Sequence, residues 1–203
     1  MKLDEIQYRL MTLADITRVP IGCQGDASAL AARIREVGSS AVLAFDGEQH
    51  VAQLQFRPYC RALRSPNGLW DPRYWGDFGD DAPDLPSKML SIFCYHVGQL
   101  EDTEDRDERY QGQGIGLEML DFLLRWARTR GFAGIIAKAS PSHRAVMSFM
   151  GGQSVESYRE RGFEVIKSWV DDELREVIHK RSIVTLDVDP DHAACVSCCV
   201  KRF

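Results

Sequence analysis

No stretch of this chain stays apolar for the roughly 20 residues needed to cross a bilayer. Its first residues, Met1-Lys2-Leu3-Asp4-Glu5-Ile6-Gln7-Tyr8-Arg9, lack the apolar centre of a signal peptide, so a cytoplasmic location and no membrane partner are expected. Positive charge is not in excess: 25 Lys and Arg stand against 30 Asp and Glu, a net charge of −5. Bulk electrostatics therefore argue against nucleic acid as a partner. Two phosphate-binding signatures are absent. The dinucleotide fingerprint G-x-G-x-x-G fails because, counted from Gly112, its third glycine falls on Leu117. The P-loop fails because no Gly-Lys-Ser/Thr ends a glycine run. No internal repeat or low-complexity tract is present.

What is present suits a folded domain. The 203 residues are 44% hydrophobic and 27% charged, enough chain for one domain with a core. The stretch around which the rest is organised is Arg109-Tyr110-Gln111-Gly112-Gln113-Gly114-Ile115-Gly116, followed at once by an apolar stripe at Leu117, Leu120, Leu123, Leu124 and Ala127. A glycine turn that runs into an amphipathic helix exposes main-chain N–H groups at the positive end of the helix dipole. Such a turn can hold a phosphate with backbone alone, or be a bare strand-to-helix turn.

Around it the chain reads as alternating elements. Tyr8 to Ile16 suggests a first strand. A helix capped by Asp26 or Ser28 buries Leu30, Ile34 and Val37 and stops at Gly38. Asp46-Gly47, between the apolar runs 40–45 and 50–56, is a hairpin signal. Residues 57–88 form an irregular insertion with five prolines and the aromatics Trp70, Tyr74, Trp75 and Phe78. It is either a flap over a ligand or a loop packed on its own domain. Leu90 to Val97 reads as a central strand. The charged run 101–109 reads as a solvated loop or a wall attracting a cationic acceptor. After the helix 116–130, a strand at 132–137 completes a βαβ unit with parallel pairing. Helical pieces at 142–150, 153–161 and 171–179 follow, with strands at 163–167 and 183–188.

Two motifs together resemble one family. Gln111-x-x-Gly114-x-Gly116 fits the pyrophosphate-binding signature of the GNAT acetyltransferase superfamily. Tyr158-Arg159-Glu160-Arg161-Gly162-Phe163 is similar to the Tyr-x-x-x-Gly-Phe element that closes its fourth helix. The resemblance covers about residues 40–188. It implies an α/β (α+β) fold: a mixed, mostly antiparallel sheet flanked by helices and splayed between two parallel central strands. It implies acetyl-CoA as donor cosubstrate, bound by the amides of Gln111, Gly112, Gln113, Gly114, Ile115 and Gly116. Backbone groups of His96 and Val97 would pair with the pantetheine arm, and Tyr158 would stand beside the thioester sulfur. The domain is expected over 1–188, with 189–203 a Cys-rich tail. Three features depart from the pattern: a longer acidic loop between Val97 and Gln111, Gly151 where an Asn usually precedes the Tyr by seven residues, and the helical piece at 171–179.

The implied reaction is transfer of an acetyl group to the primary amine of a small molecule or peptide by direct attack in a ternary complex. It needs a neutral amine, a polarised carbonyl and a protonated leaving thiolate. The Tyr158 phenol can give the proton; its alternative is a buried ring under Phe163. Proton acceptors to weigh are His96, Glu101, Asp102 or a water relay. No metal site is assigned, and a homodimer is allowed.

Six cysteines without a secretion signal read as reduced thiols. Cys195-x-x-Cys198-Cys199 could be a flexible tail or a soft-metal or redox sensor. That second class of function is a non-catalytic acyl-CoA-binding regulatory module.

Overall fold

The computed structural model describes residues 6–62, 78–103, 105–185 and 187–203. The chain divides into two compact units, Met1–Pro58 with Tyr95–Gly131 and Tyr59–Cys94 with Phe132–Phe203.

In the first unit, β1 (Ile6–Leu10), β2 (Ala41–Asp46) and β3 (Gln49–Pro58) pair antiparallel in sequence order. The hairpin turns where the Asp-Gly signal predicts: Asp46 pairs with Gln49 across the two-residue turn Gly47-Glu48, and Gly47 takes φ +59°. Helix α1 (Ala27–Val37) starts at Asp26, whose carboxylate accepts from the Ala29 amide at 2.8 Å. It ends at Gly38, left-handed at φ +97°. Its Leu30 and Ile34 pack with Met11, Val19, Ala41 and Leu43. Helix α2 (Ile115–Thr129) buries Ile115, Met119, Leu120, Leu123 and Ala127, and its Trp126 ring lies 5.3 Å from that of Phe56. The first strand is shorter than expected, because Leu13–Asp15 winds into a 3-10 turn closed by Asp15 on Thr12.

In the second unit, β4 (Met89–Val97), whose last three residues belong to the first unit, pairs parallel with β5 (Gly134–Ala139). Helices α3 (Arg144–Met150), α4 (Val155–Arg159), α5 (Asp172–Lys180) and α6 (Pro190–Ala193) surround β6 (Glu164–Val170) and β7 (Cys195–Arg202). Val146, Met150, Leu174, Ile178, Ala193 and Val196 form one core cluster. Within the second unit the strand order is β4-β5-β7-β6, antiparallel except for β4 with β5. The fold is thus the mixed α/β, mostly antiparallel sheet expected.

The C-terminus needs correcting. The expected last strand at 183–188 is absent among the described residues; Leu186 lies outside them. The last strand is the Cys-rich segment itself. As β7 it runs antiparallel between β5 and β6, with Ile136 opposite Val200 and Val165 opposite Cys199. Residues 189–203 are therefore not a tail: Pro190–Ala193 is α6 and Cys195–Arg202 a strand of the second unit's sheet. Val196 to Val200 is apolar or small on both faces, which suits a strand flanked on both sides.

Of the insertion, residues 63–77 with Trp70, Tyr74 and Trp75 lie outside the described residues. Its described ends pack on their own unit: Phe78 and Ala82 join Met89, Ile136, Cys198 and Val200, and Tyr59 stacks edge-on with Phe78 at 6.2 Å. No helix among the described residues is long and apolar enough to cross a membrane.

Candidate active site

The glycine turn is built from its entry. Asp107 accepts from the Arg109 amide and pairs with its guanidinium, starting a 3-10 turn over Glu108–Tyr110. Tyr110, buried, reaches back to the hairpin through its hydroxyl, 3.0 Å from Asp46 Oδ2. Gly112 (φ +69°) and Gly114 (φ +79°) then take the left-handed conformation, which costs other residues about 1–2 kcal/mol each. Gly114 caps α2, its carbonyl accepting from the amides of Leu117 (2.9 Å) and Glu118 (3.1 Å).

One sequence expectation changes here. The Gln111 amide donates to the Glu108 carbonyl at 3.0 Å, so it closes the turn and is not open to a ligand. The N–H groups of Gly112, Gln113, Gly114, Ile115 and Gly116 find no backbone acceptor among the described residues. No heavy atom lies within 4 Å of where a Cβ on Gly112 would stand. The turn thus offers unpaired donors at a helix N-terminus with open space before them, which fits a pyrophosphate.

The end of β4 is held in the same unit. Gly98 donates to the Val51 carbonyl and accepts from the Asp107 amide, both at 2.8 Å. These bonds close the long acidic loop at its base, so its extra length leaves the strand end and the glycine turn in place. Gly98 is left-handed (φ +80°), and a Cβ there would run into the Asp107 carbonyl oxygen. His96 is 4% exposed and Val97 half-buried. The His96 Nδ1 lies 3.4 Å from Arg106 Nη2. Glu101 is exposed. Asp102 is already engaged, its carboxylate accepting from the amides of Ile21 (3.3 Å) and Gly22 (3.1 Å).

Tyr158 belongs to the second unit. Ser154 caps the short α4 that carries it, accepting from the Ser157 amide, and the Phe163 amide donates to the Tyr158 carbonyl at 3.1 Å. Its ring is 1% exposed and meets Phe163 edge-on at 5.0 Å. The structure therefore groups His96, Val97, Glu101 and Gln111–Gly116 in one unit and places Tyr158 in the other.

Of the cysteines, Cys198 and Cys199 are buried in β7, and burial pushes the Cys199 thiol up to about 12. No cluster of three metal-donor side chains among the described residues includes Cys195, Cys198 or Cys199. A pocket of about 370 Å³ in the first unit is lined by Arg9, Asp15, Arg18, Glu48 and His50, among others, and by none of the glycine-turn residues.

Sequence reasoning passed over a set of buried amides. Gln24, Gln53 and Gln55 are at most 1% exposed. The signal was in β3, where Gln53 and Gln55 interrupt the apolar run from Val51 to Phe56 at a spacing that puts both on one face.

Comparison with known proteins gives the same picture. Residues 88–151 match the family model described as "Acetyltransferase (GNAT) family". No curated protein matches the chain in sequence. Among solved structures, an acetyltransferase of the GNAT family from Streptococcus pneumoniae is similar over 98% of this chain and 100% of its own, at 13% identity and a TM-score of 0.54. A putative acetyltransferase from Salmonella typhimurium with its cofactor acetyl-CoA matches 98% of this chain and 94% of its own, at 14% identity and a TM-score of 0.51. Arabidopsis thaliana Naa50 in complex with the bisubstrate analogue CoA-Ac-MVNAL matches 98% and 99%, at 12% identity and a TM-score of 0.51. At such identities the likeness is one of fold.

Proposed function

We propose that this chain, whose residues 88–151 match the GNAT family model, uses acetyl-CoA as acetyl donor and acetylates a primary amine on a small molecule or peptide by direct attack in a ternary complex. The observation that carries this reading is the row of unpaired amides from Gly112 to Gly116 at the start of α2. Main-chain donors at a helix N-terminus suit a diphosphate because they need no reorganisation to meet its charge. Gln111 closes the turn behind them. The main chain of His96 and Val97 is the edge for the pantetheine arm, which takes strand-like hydrogen bonds.

Bound there, acetyl-CoA supplies an activated thioester carbonyl. The protein's part is to hold it, exclude water and move protons. Tyr158 is the proton donor to the leaving sulfur, since a phenol and a thiol have comparable aqueous pKa values. On the accepting side, Asp102 is occupied by two amides, which leaves Glu101 as the carboxylate that takes the amine's proton, through water. His96 faces a guanidinium, which only donates, so its Nδ1 accepts and its Nε2 carries hydrogen. That makes His96 a hydrogen-bond donor to a substrate carbonyl and not the base.

The regulatory-module alternative loses its sensor, because Cys198 and Cys199 are strand residues in a core and a thiol pushed up to about 12 is far from the reactive thiolate range.

The test is calorimetric titration of CoA, followed by CoA release across an amine panel. Saturable binding weakened by Gly114→Val, together with amine-dependent release, is expected. Binding unaffected by that change would move the diphosphate elsewhere. Binding without turnover on any amine would sink the transferase reading.

A further inference from the structure

Four buried polar residues of the first unit hold more hydrogen-bonding capacity than the fold uses. Gln24, Gln53, Gln55 and His96 are each 4% exposed or less. Their orientation follows from one fixed end. The Pro20 carbonyl only accepts, so the Gln53 group 2.8 Å from it is its NH2. Gln53 Oε1 then faces inward, and both Gln24 (3.4 Å) and Gln55 (3.0 Å) turn their NH2 groups to it. Gln55 Nε2 also donates to the Ile21 carbonyl at 3.0 Å, which fixes the same orientation independently. What remains is Gln24 Oε1 and Gln55 Oε1, both buried with no partner among the described residues. The Nε2 of His96, which carries hydrogen because Arg106 stands at Nδ1, is buried and unpaired as well. Two acceptors and one donor are thus left over, and buried groups without partners destabilise a fold unless something else satisfies them.

The segment from Pro20 to Cys23, just before Gln24, lies against Gln55 and His96. A Cβ on Gly22 would stand 2.6 Å from Gln55 Nε2 and 3.1 Å from His96 Nε2. On its inner side the segment is held by the glutamine contacts to the Pro20 and Ile21 carbonyls. On its outer side the Asp102 carboxylate accepts from the Ile21 and Gly22 amides at an exposed position, and Arg33 Nη2 reaches the adjoining Gln24 carbonyl at 3.5 Å. The segment is a strap over atoms that no group among the described residues satisfies, with a solvated carboxylate as its latch.

The geometry points to an acceptor-recognition site beneath this strap, in which Gln24, Gln55 and His96 bind an amine whose neighbouring group is an amide or other carbonyl, and Pro20–Cys23 closes over it with Asp102 as latch. The two glutamine oxygens take N–H groups, and the His96 N–H takes the carbonyl. A group that carries both, such as an amino acid amide or a peptide end, matches the set. A polycation does not, because none of the leftover atoms bears negative charge and Asp102 is engaged on the strap. A site built to hydrogen-bond a substrate group rejects analogues lacking it, since its own buried groups then stay unpaired. The inference rests on the acetyl-transfer reading and narrows its acceptor.

The experiment uses the full chain with acetyl-CoA and three probes: glycinamide, propylamine and a linear triamine, compared per neutral amine. Glycinamide is expected to exceed propylamine by tenfold or more in kcat/KM. Gln55→Leu, or Gln24→Met should that variant fold poorly, brings the ratio close to one. Asp102→Asn speeds hydrogen exchange at the Ile21 and Gly22 amides. Acetylation with no preference, or with the triamine preferred, overturns the inference and leaves the transferase reading standing. A second readout needs no turnover: in nitrogen-15 spectra of the CoA-loaded protein, His96 is expected as the Nε2–H tautomer, shifting with glycinamide and not with propylamine. A His96 signal indifferent to glycinamide overturns the site. A responsive His96 in a protein that releases no CoA keeps the site and overturns the transfer.

Discussion

The two units differ in where their unpartnered buried polar groups lie: among the described residues of the second unit Ser91 Oγ and His143 Nδ1 stand apart in sequence, whereas in the first unit several such groups gather at one place. In the second unit, Asp171 accepts from the Leu174 amide at 2.9 Å and lies 3.9 Å from Lys138 Nζ, which itself stands near the rings of Phe78 and Trp169. Ser140 donates to the Gln153 carbonyl, and the Ser168 and Ser197 hydroxyls meet at 2.7 Å. In the first unit, Gln24, Gln55 and His96 each keep an atom unpaired among the described residues, at the strap 20–23. Polar groups paired within the fold specify one structure. Groups left unpaired are a stability cost that makes sense where a ligand completes them. The contrast implies that polar changes in the second unit act on stability, and those in the first on substrate handling.

The residue that should break this rule most sharply is Tyr158, which belongs to the second unit yet is assigned to chemistry. Tyr158→Phe is expected to lower kcat by about 100-fold or more, within the range for general acid–base groups, with the melting temperature nearly unchanged. Should kcat hold and the melting temperature drop, Tyr158 is a core ring and the contrast stands without exception. Next in size is Asp171→Ala, which removes both the cap of α5 and the carboxylate beside Lys138. A loss of about 2 kcal/mol in urea unfolding is expected, with kcat/KM unchanged. A change confined to activity would erase the distinction between the units.

Gly114→Ala tests the first unit's other feature. The left-handed cost of about 1–2 kcal/mol should show as weaker CoA binding by calorimetry. Equal affinity for CoA would remove the turn from the cofactor site. The smallest effect expected is in pH dependence. Burial brings the His50 imidazole down to about 4, so the folded protein resists its protonation while the unfolded chain takes the proton near 6.5. The contribution is complete above about pH 6.5 and declines as pH falls toward 4, reaching about 1 kcal/mol of lost stability by pH 5.5. His50→Gln should flatten that slope in unfolding titrations. A slope that persists belongs to another group.

Asp15 in the same unit acts with the same sign over a lower pH window. Burial alone would raise its carboxyl, but hydrogen bonds from Arg9 and Thr12 outweigh it and bring the group down to about 2. Its contribution is present above about pH 4 and lost only as pH falls toward 2, so the two residues separate in an acid titration.

Much of the fold was legible because its signals are local. Asp26 caps α1 and Gly38 ends it, as the spacing of Leu30, Ile34 and Val37 implies. The glycine turn into α2 was readable for the same reason. What misled was the C-terminal segment. Thr185 to Val188 alternates well enough for a strand, whereas the run of cysteines suggested a tail, and nothing nearby in sequence says that β5 and β6 leave a gap for it. The register after Val97 was obscured by the acidic loop, whose base is closed by a hydrogen bond between residues nine apart, Asp107 to Gly98.

From the sequence alone came the features that live within a turn or two of chain: where helices begin and end, the hairpin at Gly47, and the bare amides between Gly112 and Gly116. Backbone dihedral preferences and capping act over a few residues, so they can be read in order. Only the tertiary structure decided that Cys195–Arg202 is an inner strand, that Asp102 caps amides 80 residues before it, and that three glutamines and a histidine share one covered space. Those facts depend on pairings between distant segments, whose cost in chain entropy is offset only once the whole core has formed.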